Sequence, residues 1–178
     1  MTHDRSQQLV AECERQEENC LYTSTTFYIW LRHSRRWRRF FIVAPIVLGG
    51  LATWSVLDQP EKPWIQWLTA TFALLAGLFP AIYEALKLDV HIDEIASQAA
   101  EFKNLQDRFR QAARVTALGA FEDFKAEFDA LMQRLETARS GSLTPPEHYF
   151  SAARKKIKSG DYSFSADERS KPAGGGNQ

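Results

Sequence analysis

Phe40–Leu57 reads FFIVAPIVLGGLATWSVL, and Trp64–Leu86 reads WIQWLTATFALLAGLFPAIYEAL; the first carries no charge and the second only Glu84, near its end. At 1.5 Å rise per residue the two stretches cover about 27 Å and about 34 Å, enough to cross a bilayer core of roughly 30 Å. Each is apolar around nearly its whole circumference, whereas a surface helix of a water-soluble fold keeps a polar face. Trp37, Phe40, Trp54, Trp64, Trp67 and Tyr83 mark the boundaries, as aromatic belts do at membrane interfaces. The reading is an all-α membrane protein with transmembrane helices at 40–57 and 64–88. The connection 58–63 (DQPEKP) is short and holds two prolines, so the spans form a tight antiparallel hairpin. A cleaved signal peptide fits poorly, because no short apolar core lies near Met1.

Arginines set the orientation. Arg32, Arg35, Arg36, Arg38 and Arg39 stand immediately before the first span, while the connection carries one Lys and two acids. Positive residues stay on the cytoplasmic side, which places both termini inside, the loop outside, and the protein in the inner (cell) membrane as a multi-pass chain. The same arginines are positioned to touch anionic lipid headgroups. Over all 178 residues the formal net charge is zero, with 25% charged and 44% hydrophobic residues. That balance argues against general nucleic-acid binding, which needs a net basic surface.

The spans carry small residues on one side. On the second, Thr69, Ala73, Ala76, Gly77, Pro80 and Glu84 fall within about a quarter of the helical wheel. Leu68, Phe72, Leu75, Phe79, Ile82 and Leu86 form a separate bulky stripe; on the first span Pro45, Gly49, Ala52 and Thr53 cluster. Small residues let helix backbones approach closely in lipid. The expectation is therefore that the bulky stripe faces lipid and the small faces meet other helices. They do so within the hairpin or in an oligomer whose small face lines a water path, with Glu84 near its cytoplasmic mouth or simply reaching headgroup water.

Coiled-coil-like helices extend the hairpin into the cytoplasm. Val10, Cys13, Glu17, Cys20, Ser24, Phe27 and Leu31 repeat in steps of three and four within the N-terminal helix at 5–39. Leu88, Ile92, Ile95, Ala99, Phe102, Gln106, Phe109 and Ala113 do the same in a long helix over 89–140, with a possible break near 116–119. Beyond that break Phe121, Phe124, Phe128, Leu131 and Leu135 continue the pattern, and this aromatic stripe needs cover from a neighbouring subunit or from the chain's own tail. Ile92, Ile95, Phe102, Phe109 and the Phe121–Leu135 run are thus candidates for an oligomer or helix seam. Thr144-Pro145-Pro146-Glu147 has the pattern of a capping box opening a short helix at 144–158, and the tail 165–178 is polar, Gly-rich and disordered by composition. Cys13 and Cys20, seven residues apart on one helix, lie about 10 Å apart, beyond disulfide reach, and read as buried, reduced seam residues.

No catalytic, cofactor or metal residues emerge. The Gly174–Gly176 run lies in the tail and precedes no helix, and His3, His33, His91 and His148 have no ligand partner at helical spacing. His91 with Asp93 and Glu94 reads as solvated charge. The sequence reading is not that of an enzyme.

The arrangement resembles the SLATT family, the SMODS- and SLOG-associating two-transmembrane effector domains. The resemblance covers roughly Leu9–Phe164 and rests on LRHSRRWRRF (Leu31–Phe40), the two close spans, the helix starting at Leu88-Asp89, and PPEHYFSAARKKIKSGDYSF (Pro145–Phe164). It implies a bacterial antiviral or conflict-system effector that oligomerises and forms a pore or permeabilises the membrane. Unlike fused family members, this chain includes no sensor or nucleotide-synthesising domain, so the trigger would bind this module directly, as a nucleotide signal, or reside in another protein, a separate sensor or nucleotide-signal enzyme. The alternative is a membrane-anchored coiled-coil scaffold or adaptor without conduction.

Overall fold

The computed structural model describes residues 2–57, 63–85 and 87–160. Among them every regular element is helical: α1 (Thr2–Leu57), α2 (Pro63–Ala85), α3 (Leu88–Arg114), α4 (Phe121–Ser140) and α5 (Glu147–Lys158), with a 3-10 turn at Thr116–Leu118. The connection expected at 58–63, apart from Pro63, and the tail expected at 165–178 lie outside the described residues. The chain divides into two compact units, Met1–Ile29 with Ala99–Gln178, and Trp30–Gln98.

The first unit is a helical bundle built on the three-and-four spacing of its apolar residues. Cys13, Cys20 and Phe27 of α1, Ala99, Phe102, Leu105, Phe109 and Ala112 of α3, and Phe124, Leu131 and Leu135 of α4 are all buried. Specific contacts give the directions. Glu17 pairs with Arg110 at 2.7 Å, and Phe27 stacks on Phe102 with centroids 5.8 Å apart, so α1 and α3 are antiparallel. Arg134 grips Glu101 through two hydrogen bonds of 2.7 and 2.9 Å, and Phe109 meets Phe128 at 6.3 Å, so α3 and α4 are antiparallel too. α5 buries Tyr149 and Ala153, and its Phe150 ring lies 6.3 Å from that of Tyr22.

At the possible break near 116–119 the stretch 89–140 turns back as a helical hairpin: the 3-10 turn and the extended Ala120 reverse the chain, and Thr116 Oγ1 donates to Glu127 at 2.7 Å across the bend. One expectation is corrected here. Thr144 caps no helix, because α5 begins at Glu147 with Pro146 in the extended N-cap position and no side-chain cap bond. Each proline disfavours helical geometry in the residue before it, so the PP pair delays the helix past Thr144 and Pro145.

The second unit consists of the α1 segment from Trp30, α2, and the start of α3. α1 runs without a break through Pro45, whose missing N–H leaves one ladder bond unmade. The helix expected over 64–88 ends at Ala85, and Lys87 takes a left-handed backbone with φ 46° before α3 begins. The Lys87 N–H donates to the Glu84 carbonyl at 3.0 Å, closing the turn.

Candidate functional site

The hairpin of the second unit meets along a seam of aromatic and small residues. Phe79 of α2 sits between Phe40 and Phe41 of α1, with centroids 5.9 and 5.6 Å away, and Tyr83 lies 6.4 Å from Phe41. On α2 the partly covered positions are Thr69, Phe72, Ala76, Phe79 and Tyr83; on α1 they are Phe41, Ala44, Pro45, Leu48 and Gly49, with Ala52 buried. This seam corrects the division expected between bulky and small stripes. It runs along their border, taking Phe72 and Phe79 from one and Thr69 and Ala76 from the other, because a helix pair packs best when large side chains fit against small ones.

The rest of the small face stays open. Ala73, Gly77, Pro80 and Glu84 are exposed, as is Thr53 on α1, whose hydroxyl donates to the Gly49 carbonyl at 2.9 Å. A Cβ added at Gly49 or at Gly77 meets nothing within 4 Å. The hairpin therefore does not require glycine at either position.

Large apolar side chains face outward around both helices: Ile46 is 71% exposed, Trp54 74%, Trp67 77% and Leu74 71%. Gln66–Ala85, with mean hydropathy 1.4 and none of it buried, is the one helix among the described residues long and apolar enough to cross a membrane.

Two shallow apolar grooves flank the seam. One, of about 560 Å³, is lined by Phe40, Val43, Ala44, Val47 and Phe79, with Arg39 at its end. The other, of about 410 Å³, is lined by Phe41, Ile42, Pro45, Ile46, Pro80 and Tyr83. Arg32, Arg35, Arg36, Arg38 and Arg39 are all exposed. Among the described residues Arg38 alone of these makes an ion pair: its Nε meets Asp89 Oδ1 at 2.8 Å, and the nearby Tyr83 hydroxyl and the Asp89 carboxylate raise its pKa above the ordinary guanidinium value. The sequence reading treated the five arginines as equivalent and missed Asp89 as a partner.

The candidate oligomer seams sit differently. Ile92, Ile95, Phe102, Phe109, Phe124, Leu131 and Leu135 are buried within one chain, and Phe121 and Phe128 are half-buried. The fully buried ones pack as helix seams within the chain, while Phe121 and Phe128 keep part of their surface open. Among the described residues no group of three His, Cys, Asp or Glu side chains is arranged to hold a metal ion.

Comparison with protein-family models, with curated proteins and with solved structures finds no match to this chain.

Proposed function

We propose that this chain is a two-span inner-membrane protein of the SLATT type, with both termini cytoplasmic, whose copies assemble and permeabilise the membrane in a bacterial antiviral response. The observation that carries assembly is the open small face of α2: Ala73, Gly77 and Pro80 stay exposed, and Gly77 has free space where a Cβ would stand. Intrachain packing gives no reason for their size, whereas close approach of a second helix in lipid does. Membrane insertion draws support from the uncharged Phe40–Leu57 stretch, from Gln66–Ala85, and from outward-facing Ile46, Trp54, Trp67 and Leu74, a surface that water would not tolerate. The defence role and the separate sensor or nucleotide-signal enzyme come from the family resemblance. No catalytic residue is assigned.

Purified protein in dye-loaded liposomes, given candidate nucleotide signals, is expected to release the dye. Gly77→Leu and Ala73→Leu, which fill open space without touching the seam, are expected to abolish release while insertion persists. Undiminished release by both variants would refute the proposed face. A scaffold remains the second reading because Leu118, 86% exposed, and Val115, 61% exposed, crown the α3–α4 turn of the first unit. A scaffold predicts partner capture that Leu118→Glu weakens and Gly77→Leu leaves intact.

A further inference from the structure

The larger groove beside the hairpin seam is apolar along its walls and borders a charged residue at one end. Its walls, Phe40, Val43, Ala44, Val47 and Phe79, are apolar, and its one charged wall residue, Arg39, stands at the end where the uncharged stretch begins. From Arg39 to Val47 the helix rises about 12 Å, close to half of a roughly 30 Å bilayer core, the depth of one leaflet's acyl chains. Arg36, four residues before Phe40 and seven before Val43, lies on the same side of α1, one turn before the groove's first wall residues. Neither Arg36 nor Arg39 makes an ion pair among the described residues, whereas Arg38 is neutralised by Asp89 at 2.8 Å.

We propose that this groove is a binding site for one anionic phospholipid of the arginine-side leaflet. An acyl chain lies along Phe40–Val47 against Phe79, and the headgroup phosphate is held by Arg39 and Arg36. The assignment rests on the membrane reading above and adds a selectivity to it. A guanidinium presents a planar fork of donors that suits phosphate, and its aliphatic stem can follow apolar surface while the charge stays at headgroup level. A zwitterionic lipid would bring its own cation against both arginines. The opposite groove, lined by Pro45 and Pro80, has no arginine in its wall and is not assigned this preference.

The test uses the full chain in phosphatidylcholine vesicles containing a minor fraction of phosphatidylglycerol, with the spin label on the acyl chain of one lipid or the other. Flotation after an alkaline wash scores insertion separately. A motionally restricted lipid population preferring phosphatidylglycerol is expected. Arg39→Gln and Arg36→Gln should each lower that preference about fivefold, and Arg38→Gln, on the opposite side of α1 and paired with Asp89, should leave it unchanged. Ala44→Phe, which fills the groove, should remove the restricted population for both headgroups. Equal losses for Arg38→Gln would indicate a diffuse basic belt and overturn the site, as would the lack of any headgroup preference or displacement of the lipid by inorganic phosphate. A chain that never floats with the vesicles overturns the membrane reading and the site together.

Discussion

Cys13 and Cys20 are 0% and 1% exposed in the first unit. Burial pushes both thiols from 9.0 up to about 11; Glu12, Glu127 and Glu14 add to the rise at Cys13, and Arg139 opposes it at Cys20. A rise of two units cuts the reactive thiolate about a hundredfold at neutral pH, before steric exclusion is counted. Native protein is therefore expected to resist iodoacetamide at pH 8 and to take two labels once unfolded, read by mass spectrometry. The linkage has a definite sign. The folded state holds its thiol protons above the pH at which the unfolded chain releases them, so this stability is complete below pH 9 and is lost as pH rises toward 11. A Cys13→Ala, Cys20→Ala double variant should show a shallower stability decline than the parent across that window, measured by thermal unfolding in detergent.

At the scale of elements, the bundle's apolar contacts and its ion pairs carry unequal weight. Phe124 is fully buried on α4, and Phe124→Ala should cost about 3–5 kcal/mol through lost burial and the cavity left behind. Arg134 and Glu101 keep 42% and 34% of their side chains exposed, so Arg134→Ala should cost less than about 1 kcal/mol despite its two hydrogen bonds. Chemical denaturation of the two variants in detergent measures the contrast. The α2–α3 junction offers a further check. Lys87 occupies left-handed backbone at φ 46°, which glycine adopts at no steric cost. Lys87→Gly is expected to raise the unfolding free energy by up to about 1 kcal/mol, and Lys87→Val to lower it by about 1–2 kcal/mol.

For the whole molecule, the proposed topology makes the connection between spans the only segment outside the cell membrane. A Gln59→Cys substitution in a Cys13→Ala, Cys20→Ala background should react with a membrane-impermeant maleimide on intact spheroplasts. Labelling only after lysis would reverse the orientation drawn from the arginines. The oligomer, if it forms through α2, should survive Phe128→Ala better than Gly77→Leu, because Phe128 packs against Phe109 of its own chain while Gly77 faces open space. Cross-linking in detergent followed by denaturing electrophoresis distinguishes the two.

The apolar repeat was enough to name most of the buried positions. Cys13, Phe27, Ile95, Phe102, Phe109, Phe124 and Leu135 recur at helical spacing, and a helix with one apolar stripe has only that stripe to bury. Periodicity describes one helix at a time, however, and is silent about which helix answers it. That is why the α3–α4 reversal, marked in sequence only by Gly119 and a lapse in the pattern, became visible only once Phe109 met Phe128 and Arg134 met Glu101. Residue volume likewise separated a small from a bulky stripe on α2. Where the seam falls between them depends on the rotation of one helix against another, set by Phe79 entering between Phe40 and Phe41. The same rotation left Gly77 open, and the turn at Lys87 brought Asp89 of α3 to Arg38 of α1, relations that belong to two helices at once and to neither sequence segment alone.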